Sequence, residues 1–249
     1  MTSHASSPLS AWDGALTRSH SWPAIGAAAC GGKCYGRTLD QAVLRMRQST
    51  EPLAALYRGA GTCLLTIVHA VAPQAAARHI PALLDEAKCP LCDGDSPLRS
   101  FLWDGSAPSQ LPWDDDVAEV VLTVLSQLHM QAQEVVIVVA ILETLHQRHY
   151  AILQARSARP IFLAACVLAR KLASDKDLLT SECYAAVADC FTSLTPLLLA
   201  RVEEQLLELL EWRFPTEREQ YEMYARALVR VGMPPGVPIT ADVVPSLYA

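Results

Sequence analysis

The chain has 249 residues, with 20 Lys or Arg against 26 Asp or Glu, which gives a net charge of −6 at pH 7. This length suffices for one sizeable core with an appendage, the arrangement we expect, or for two small domains. The basic residues are scattered rather than clustered, which argues against a surface that binds phosphate backbones. We therefore expect no nucleic-acid partner.

Two features of the sequence bear on where the protein is located. The first residues lack a basic segment followed by an apolar run, so they do not resemble a secretory signal. The longest uncharged apolar run, Val135 to Leu142, is far shorter than the ~20 residues that cross a membrane. We expect an intracellular protein, cytoplasmic or nuclear or both, with no membrane partner and with reduced cysteines.

The region before residue 114 divides by composition into three parts. Residues 1–36 are rich in Ser, Gly and Ala without periodicity, which predicts a flexible tail. Residues 37–88 have helical spacing in three pieces, the last from Ala75 to Ala87, and could form an added helical layer or pack loosely. Prolines and Asp-Gly pairs predict a linker over residues 89–113.

From residue 114 onward, apolar residues recur at helical spacing in segments separated by short breaks, which predicts an all-α fold. We expect Pro160 and Pro196 in first turns, where a missing N–H is tolerated, and Thr195 as an N-cap. The helical domain is predicted over residues 114–231, followed by a tail over 232–249. Its predicted helices are Asp114 to Leu128, Glu134 to Tyr150, Pro160 to Ala173, Thr180 to Cys190, Pro196 to Trp212 and Thr216 to Val231.

Two opposite charges, Lys171 and Glu203, fall on the two most strongly helical segments. The helix that contains Lys171 is apolar around its whole circumference as far as Arg170, which is typical of a helix surrounded by others. Glu203 lies within an apolar stripe of its own helix, where a carboxylate needs a partner. An ion pair within the domain and a site for a partner protein are both consistent with this pattern.

The residues around these charges resemble the cyclin family. Val167 to Leu172 is similar to the cyclin stretch "lLAsKf", with Lys171 at the characteristic lysine. Ala200 to Phe214 is similar to "nrLEleFLelLdwrL", with Glu203 at the acidic position. The resemblance covers residues 114–228 and implies a five-helix cyclin box followed by a C-terminal helix.

Two further stretches extend the resemblance. Leu145 to Arg148 is similar to the "YldR" ending of the second cyclin helix. The loop from Asp175 and the following Tyr184 to Val187 resemble the Pho80-type group, although Tyr184 stands where that group has tryptophan. The chain is therefore identified as resembling a Pho80-type cyclin with a single box.

The resemblance implies a non-catalytic regulatory subunit that forms a heterodimer with a cyclin-dependent protein kinase. In cyclins, the residues matched by Lys171 and Glu203 pair with each other and hydrogen-bond kinase main-chain groups beside the αC helix. Asp175 is the candidate to engage an arginine of the kinase in place of an activation-loop phosphate. A solvated turn is the alternative interpretation of Asp175. The resemblance implies no catalytic residue, cofactor or metal.

Other functional classes have weaker sequence support. A cyclin-fold adaptor that binds a non-kinase protein would share the same motifs. A scaffold stabilised by zinc could use Cys30, Cys34, Cys89 and Cys92, although their spacing is irregular. His146 and His149, with Glu143, could bind a metal, but a polar helix end is the simpler interpretation. The sequence has no nucleophile elbow, phosphate-binding glycine loop or HExxH motif.

Overall fold

Helices are the only regular elements among the residues that the computed structural model describes, namely 44–71, 80–92, 114–174, 180–214, 218–234 and 236–237. No strand occurs in these ranges, so the predicted all-α fold class is confirmed. The predicted N-terminal tail, and the C-terminal tail beyond residue 237, lie outside them. A helical stretch at 44–48 precedes the elements named here. These are α1 (Pro52–Val71), a 3-10 turn (Ala82–Leu84), α2 (Asp114–Gln127), α3 (Ala132–Arg148), α4 (Ala155–Ala173), α5 (Thr180–Val187), α6 (Pro196–Leu209) and α7 (Arg218–Gly232).

Several helix boundaries follow the local chemistry expected of them. The side-chain oxygen of Thr195 accepts a hydrogen bond from the Leu198 N–H at 3.1 Å, and Pro196 occupies the first turn of α6. The predicted cap and first-turn proline are therefore both present. The α7 helix ends at Gly232, where the sequence also predicts its end.

The predicted start of α4 is wrong, because the helix begins at Ala155 and Pro160 lies inside it. The earlier start is supported by Ser157, whose hydroxyl accepts a hydrogen bond from the Gln154 N–H at 2.9 Å. Pro160 has no N–H to give to the Arg156 carbonyl, so one helical hydrogen bond is missing. The backbone N–H of Glu86 donates to that carbonyl instead, at 2.9 Å.

The helix predicted from Ala75 to Ala87 is absent over its described part, residues 80–87. This stretch contains the 3-10 turn, and Pro81 before it is extended, with ψ of 139°. A proline lacks the helical donor and disfavours helix at the residue before it, which explains why helical spacing alone was misleading. The apolar residues still reach the core, since Ile80 and Leu84 are buried.

The same segment is joined to α4 by a buried ion pair. The Glu86 carboxylate accepts hydrogen bonds from the Arg159 guanidinium, from Nε at 2.9 Å and also from Nη2. The side chains are only 2% and 1% exposed, respectively. Burial raises the pKa of the Glu86 carboxyl, and the guanidinium opposes that rise. Because the pair is bidentate and excluded from water, it holds residues 80–92 in place.

The start of the predicted linker is also packed against the fold. Leu91 is buried, and its backbone carbonyl accepts a hydrogen bond from the Ser193 N–H at 3.1 Å. Residues 93–113, which form the rest of that linker, lie outside the described residues. The described part of this segment therefore belongs to the core rather than to a spacer.

The α1 helix packs against α7, α2 and α3 and shares one hydrophobic core with them. By length and composition alone it could cross a membrane, although 78% of its apolar window is buried by the rest of the protein. A core helix passes the same test, and packing accounts for its apolar surface. For residues 37–88 the sequence allowed either an added helical layer or loose packing. The α1 helix, which lies in this region, packs closely against the other helices.

The crossing of α1 and α7 depends on two glycines that allow the backbones to approach closely. A Cβ atom added at Gly59 would overlap the backbone carbonyl of Leu228. One added at Gly232 would overlap the carbonyl oxygen of Ala55. The Arg58 side chain reinforces the crossing by donating from Nε to the Gly232 carbonyl at 2.6 Å. Because the opposing atoms belong to the backbone, they cannot move aside as a flexible side chain would.

We predict that Gly59→Ala destabilises the protein even though alanine is the better helix former. The helix propensity gain is about 1 kcal/mol, whereas overpacking against a fixed backbone costs about 1–3 kcal/mol or more. Urea denaturation followed by circular dichroism measures the difference. The control Met223→Ala, at an exposed position of α7, should change the unfolding free energy by about 0.5 kcal/mol or less. Equal stability of Gly59→Ala and wild type would contradict the close crossing.

We also predict that Glu86→Ala lowers the unfolding free energy by about 3–5 kcal/mol, because it leaves the Arg159 charge buried without a partner. Replacing both residues by methionine should cost much less, since no buried charge then remains. Lys88→Ala is the matched control: it removes a partly exposed pair with Asp85 and should cost about 0–1 kcal/mol. If Glu86→Ala cost no more than Lys88→Ala, the buried pair would not hold the segment.

Candidate functional site

Lys171 and Glu203 meet where the C-terminal end of α4 crosses α6. Lys171 lies in the last turn of α4, and its Nζ is 2.6 Å from Oε1 of Glu203. Glu203 lies on the buried face of α6, together with Leu199 and Leu206. The ion pair expected between these two helices is therefore present. A carboxylate among apolar residues is compensated here by a charge from a different helix.

Thr180, the first residue of α5, completes the cluster. Its Oγ1 accepts a hydrogen bond from Lys171 Nζ at 2.6 Å and donates one to Glu203 Oε2 at 2.9 Å. Each carboxylate oxygen of Glu203 is thus used by a different donor. The sequence presents Thr180 only as a possible cap of α5. Nothing in the local pattern signals that its side chain contacts α4 and α6, because this contact joins residues on three different helices.

The three side chains are not equally accessible to solvent. The Lys171 side chain is 27% exposed, whereas that of Glu203 is 8% exposed. An ammonium group has three N–H donors, and the described contacts use two of them, with Glu203 and Thr180. Glu203 and Thr180 therefore fix the Lys171 ammonium group, while the side chain as a whole stays partly exposed.

Apolar side chains are exposed close to this cluster in sequence. Leu172, which follows Lys171, is 46% exposed, and Leu197 in the first turn of α6 is 63% exposed. Exposed leucines of this size are common individually, but apolar surface near a fixed charged donor is typical of protein interfaces. The arrangement can bind main-chain carbonyl groups of a partner and desolvate them.

The other residues singled out by the resemblance lie elsewhere or outside the described ranges. Asp175 is among residues 175–179, which the structure does not describe, so its predicted role stays a prediction. Arg148 donates from Nη1 to the Leu210 carbonyl at 2.9 Å and lies 3.8 Å from the Glu211 carboxylate. Arg148 therefore caps the C-terminal end of α6. At a rise of 1.5 Å per residue, this contact lies roughly 10 Å from Glu203 along the helix axis.

The residues considered for metal binding have other contacts in the fold. Glu143 accepts hydrogen bonds from Gln147 and from the Tyr224 hydroxyl, and burial raises its pKa. His149 contacts the Leu209 carbonyl at 2.9 Å, and the His146 ring packs on Tyr150.

Within the described part of the chain, no group of three or more His, Cys, Asp or Glu side chains is arranged to hold a metal. Cys30 and Cys34 lie outside that part, so the alternative of a four-cysteine zinc site stays untested.

Comparisons of the chain with protein-family models, with curated proteins and with solved structures found no match.

We predict that Thr180→Val destabilises the protein by about 1–3 kcal/mol, because valine keeps the shape but removes both hydrogen bonds of the hydroxyl. Thr180→Ser keeps the hydroxyl and should retain most of the stability. Chemical denaturation at pH 7 of the two variants and the wild type measures this difference. A loss of stability in Thr180→Ser with none in Thr180→Val would indicate that the threonine methyl group, and not the bridging hydroxyl, is what matters at this position.

Proposed function

We propose that this protein is a cyclin-type regulatory subunit that binds a cyclin-dependent protein kinase and activates or targets it. The observation that carries the proposal is the partly exposed side chain of Lys171, whose ammonium group is held by Glu203 and Thr180 at the end of α4. The helix order and the cyclin-like stretches around both charged residues support the same assignment. On this proposal the subunit itself performs no chemistry.

The hydrogen-bond geometry explains why a lysine in this position suits a partner's main chain. A free lysine has four rotatable side-chain bonds and loses conformational entropy when it binds. Lys171 has already lost that entropy within the folded protein, because Glu203 and Thr180 fix its ammonium group. Its remaining donor can therefore bind a carbonyl oxygen of the kinase at a smaller entropic cost.

The electrostatic arrangement favours the same kind of partner. Glu203 is almost buried and compensates the lysine charge, so the surface presents a donor without a strong net positive charge. Such a donor suits neutral carbonyl groups rather than phosphates or acidic peptides. In the proposed complex, Lys171 binds main-chain groups next to the kinase αC helix, and the inward position of that helix completes the kinase's own active site.

An adaptor that binds a non-kinase protein through the same surface is the second candidate, because it would carry the same cyclin-like stretches. Both candidates use Lys171 and the exposed Leu172. They differ in the identity of the bound protein and in whether binding changes kinase activity. The experiment for the main proposal therefore identifies the partner first and then measures activity with purified components.

We predict that the full-length protein, used as bait in its cell of origin, retains a cyclin-dependent kinase. With that kinase purified, Lys171→Ala combined with Glu203→Ala should weaken binding by a factor of about 30 or more, as expected at a hot spot. Kinase activity towards a peptide substrate should fall in parallel. The matched control removes the exposed pair of Glu222 and Arg226 on α7 and should leave affinity and activity unchanged.

A charge exchange separates binding from an internal structural role. In Lys171→Glu combined with Glu203→Lys, the pair between α4 and α6 can still form, but position 171 now presents an acceptor where kinase carbonyls need a donor. We expect a melting temperature close to wild type, with kinase binding still lost. Wild-type binding by the exchanged variant would overturn the proposal, whereas capture of a non-kinase protein that depends on Lys171 would favour the adaptor.

A further inference from the structure

The Cys92 thiol lies against the backbone of Cys190, where the segment 80–92 runs beside the turn that follows α5. Cys92 Sγ lies 3.7 Å from the backbone carbonyl oxygen of Cys190, a residue 98 positions away in the chain. The backbone hydrogen bond from Ser193 to Leu91 holds the two stretches together next to this contact. None of the described cysteines is in a disulfide.

The surroundings of Cys92 distinguish it from the other described cysteines. Arg159 Nη1 lies 3.6 Å from Cys92 Sγ and donates a hydrogen bond to it. Cys92 is also partly exposed, so a small oxidant can reach it. Cys63, Cys166 and Cys190 are buried, and burial raises the pKa of each thiol above its ordinary value, so hydrogen peroxide reaches Cys92 before any of them.

We infer that Cys92 is an oxidation site and that, once oxidised, it forms a disulfide with Cys190. With hydrogen peroxide as the oxidant, the Cys92 thiolate attacks one peroxide oxygen, the O–O bond breaks, and the released hydroxide takes a proton to become water. The product is a sulfenic acid at Cys92. The Cys190 sulfur then attacks Cys92 Sγ, the S–O bond breaks, and a second water leaves with the Cys190 proton. In total, two thiols and one peroxide give one disulfide and two waters.

Cys89 is the competing partner, because it lies only three residues before Cys92. The structure favours Cys190, whose backbone directly contacts the Cys92 sulfur, while Pro90 restricts the backbone between Cys89 and Cys92. The disulfide would join the segment that packs on the N-terminal part of α4 to the end of α5. The inference does not depend on the proposed kinase partner, because the purified protein alone suffices to test it.

The test uses the reduced full-length protein, purified without chelator, treated with hydrogen peroxide and then alkylated, digested with trypsin and analysed by mass spectrometry. Trypsin leaves Cys89 and Cys92 on one peptide, and Cys183 and Cys190 on another. The variants Cys89→Ser and Cys183→Ser are therefore included, and the linked peptides should persist in both. They should disappear in Cys92→Ser and in Cys190→Ser.

Two further measurements accompany the peptide analysis. In Cys190→Ser, oxidised Cys92 should accumulate as a sulfenic acid that dimedone labels, because its resolving thiol is missing. The oxidised wild type should melt roughly 10 °C above the reduced form, since the disulfide closes a long loop, and dithiothreitol should reverse the shift.

The outcomes that overturn the inference are equally specific. A Cys89–Cys92 disulfide, a link from Cys92 to Cys183, or unchanged thiols at Cys92 and Cys190 would each show that the contact is not an oxidation site. Stoichiometric zinc in the purified protein, with protection of Cys89 and Cys92 together, would also overturn it and would instead support a metal site. Oxidation of Cys63 or Cys166 before Cys92 would indicate loss of the fold and would contradict the argument from burial.

Discussion

The burial of α4 is the constraint on which the rest of the described structure depends. This helix is surrounded by other elements along most of its length, yet it has basic side chains at both ends. A charge at the edge of a buried helix must be compensated, because desolvation without a partner costs several kcal/mol. Each of three basic residues of α4 lies near a carboxylate from a different element: Arg159 with Glu86, Arg170 with Glu134 at 3.9 Å, and Lys171 with Glu203. These pairs fix the segment 80–92, α3 and α6 around α4.

The two strongest of these pairs differ in accessibility, and that difference separates a structural role from a functional one. The Arg159 and Glu86 side chains are both almost completely buried, so they can act only on the fold. The Lys171 and Glu203 pair is buried on the glutamate side and open on the lysine side. The charges at the ends of α4 must be compensated in any case. The pairing of Lys171 with Glu203 meets that need and also fixes the position of a partly exposed hydrogen-bond donor. This is why the proposal rests on Lys171 rather than on the better-satisfied Arg159.

Local sequence pattern predicted the helices well and the contacts between distant segments poorly. Apolar spacing and the Thr195 cap located α6, and the position of Glu203 within an apolar stripe indicated a buried carboxylate. The same spacing wrongly predicted a helix over residues 80–87, because periodicity does not register the effect of Pro81 on the backbone. Neither the Glu86 to Arg159 pair nor the bridging role of Thr180 was predicted, since both join residues brought together only by the tertiary fold. Opposite charges many residues apart leave no periodic signal.

The region that resembles cyclins does not contain a complete core by itself. Two polar side chains of α1 satisfy backbone groups of other helices: the Tyr57 hydroxyl donates to the Met130 carbonyl at 2.6 Å, and Arg58 donates to that of Gly232. The first contact fixes the turn between α2 and α3, and the second fixes the end of α7. Because the apolar side chains of α1 fill the space between these helices, α1 belongs to the same cooperative unit as α4 and α6. The geometry at Lys171 therefore depends on a helix outside the part of the sequence where the resemblance is found.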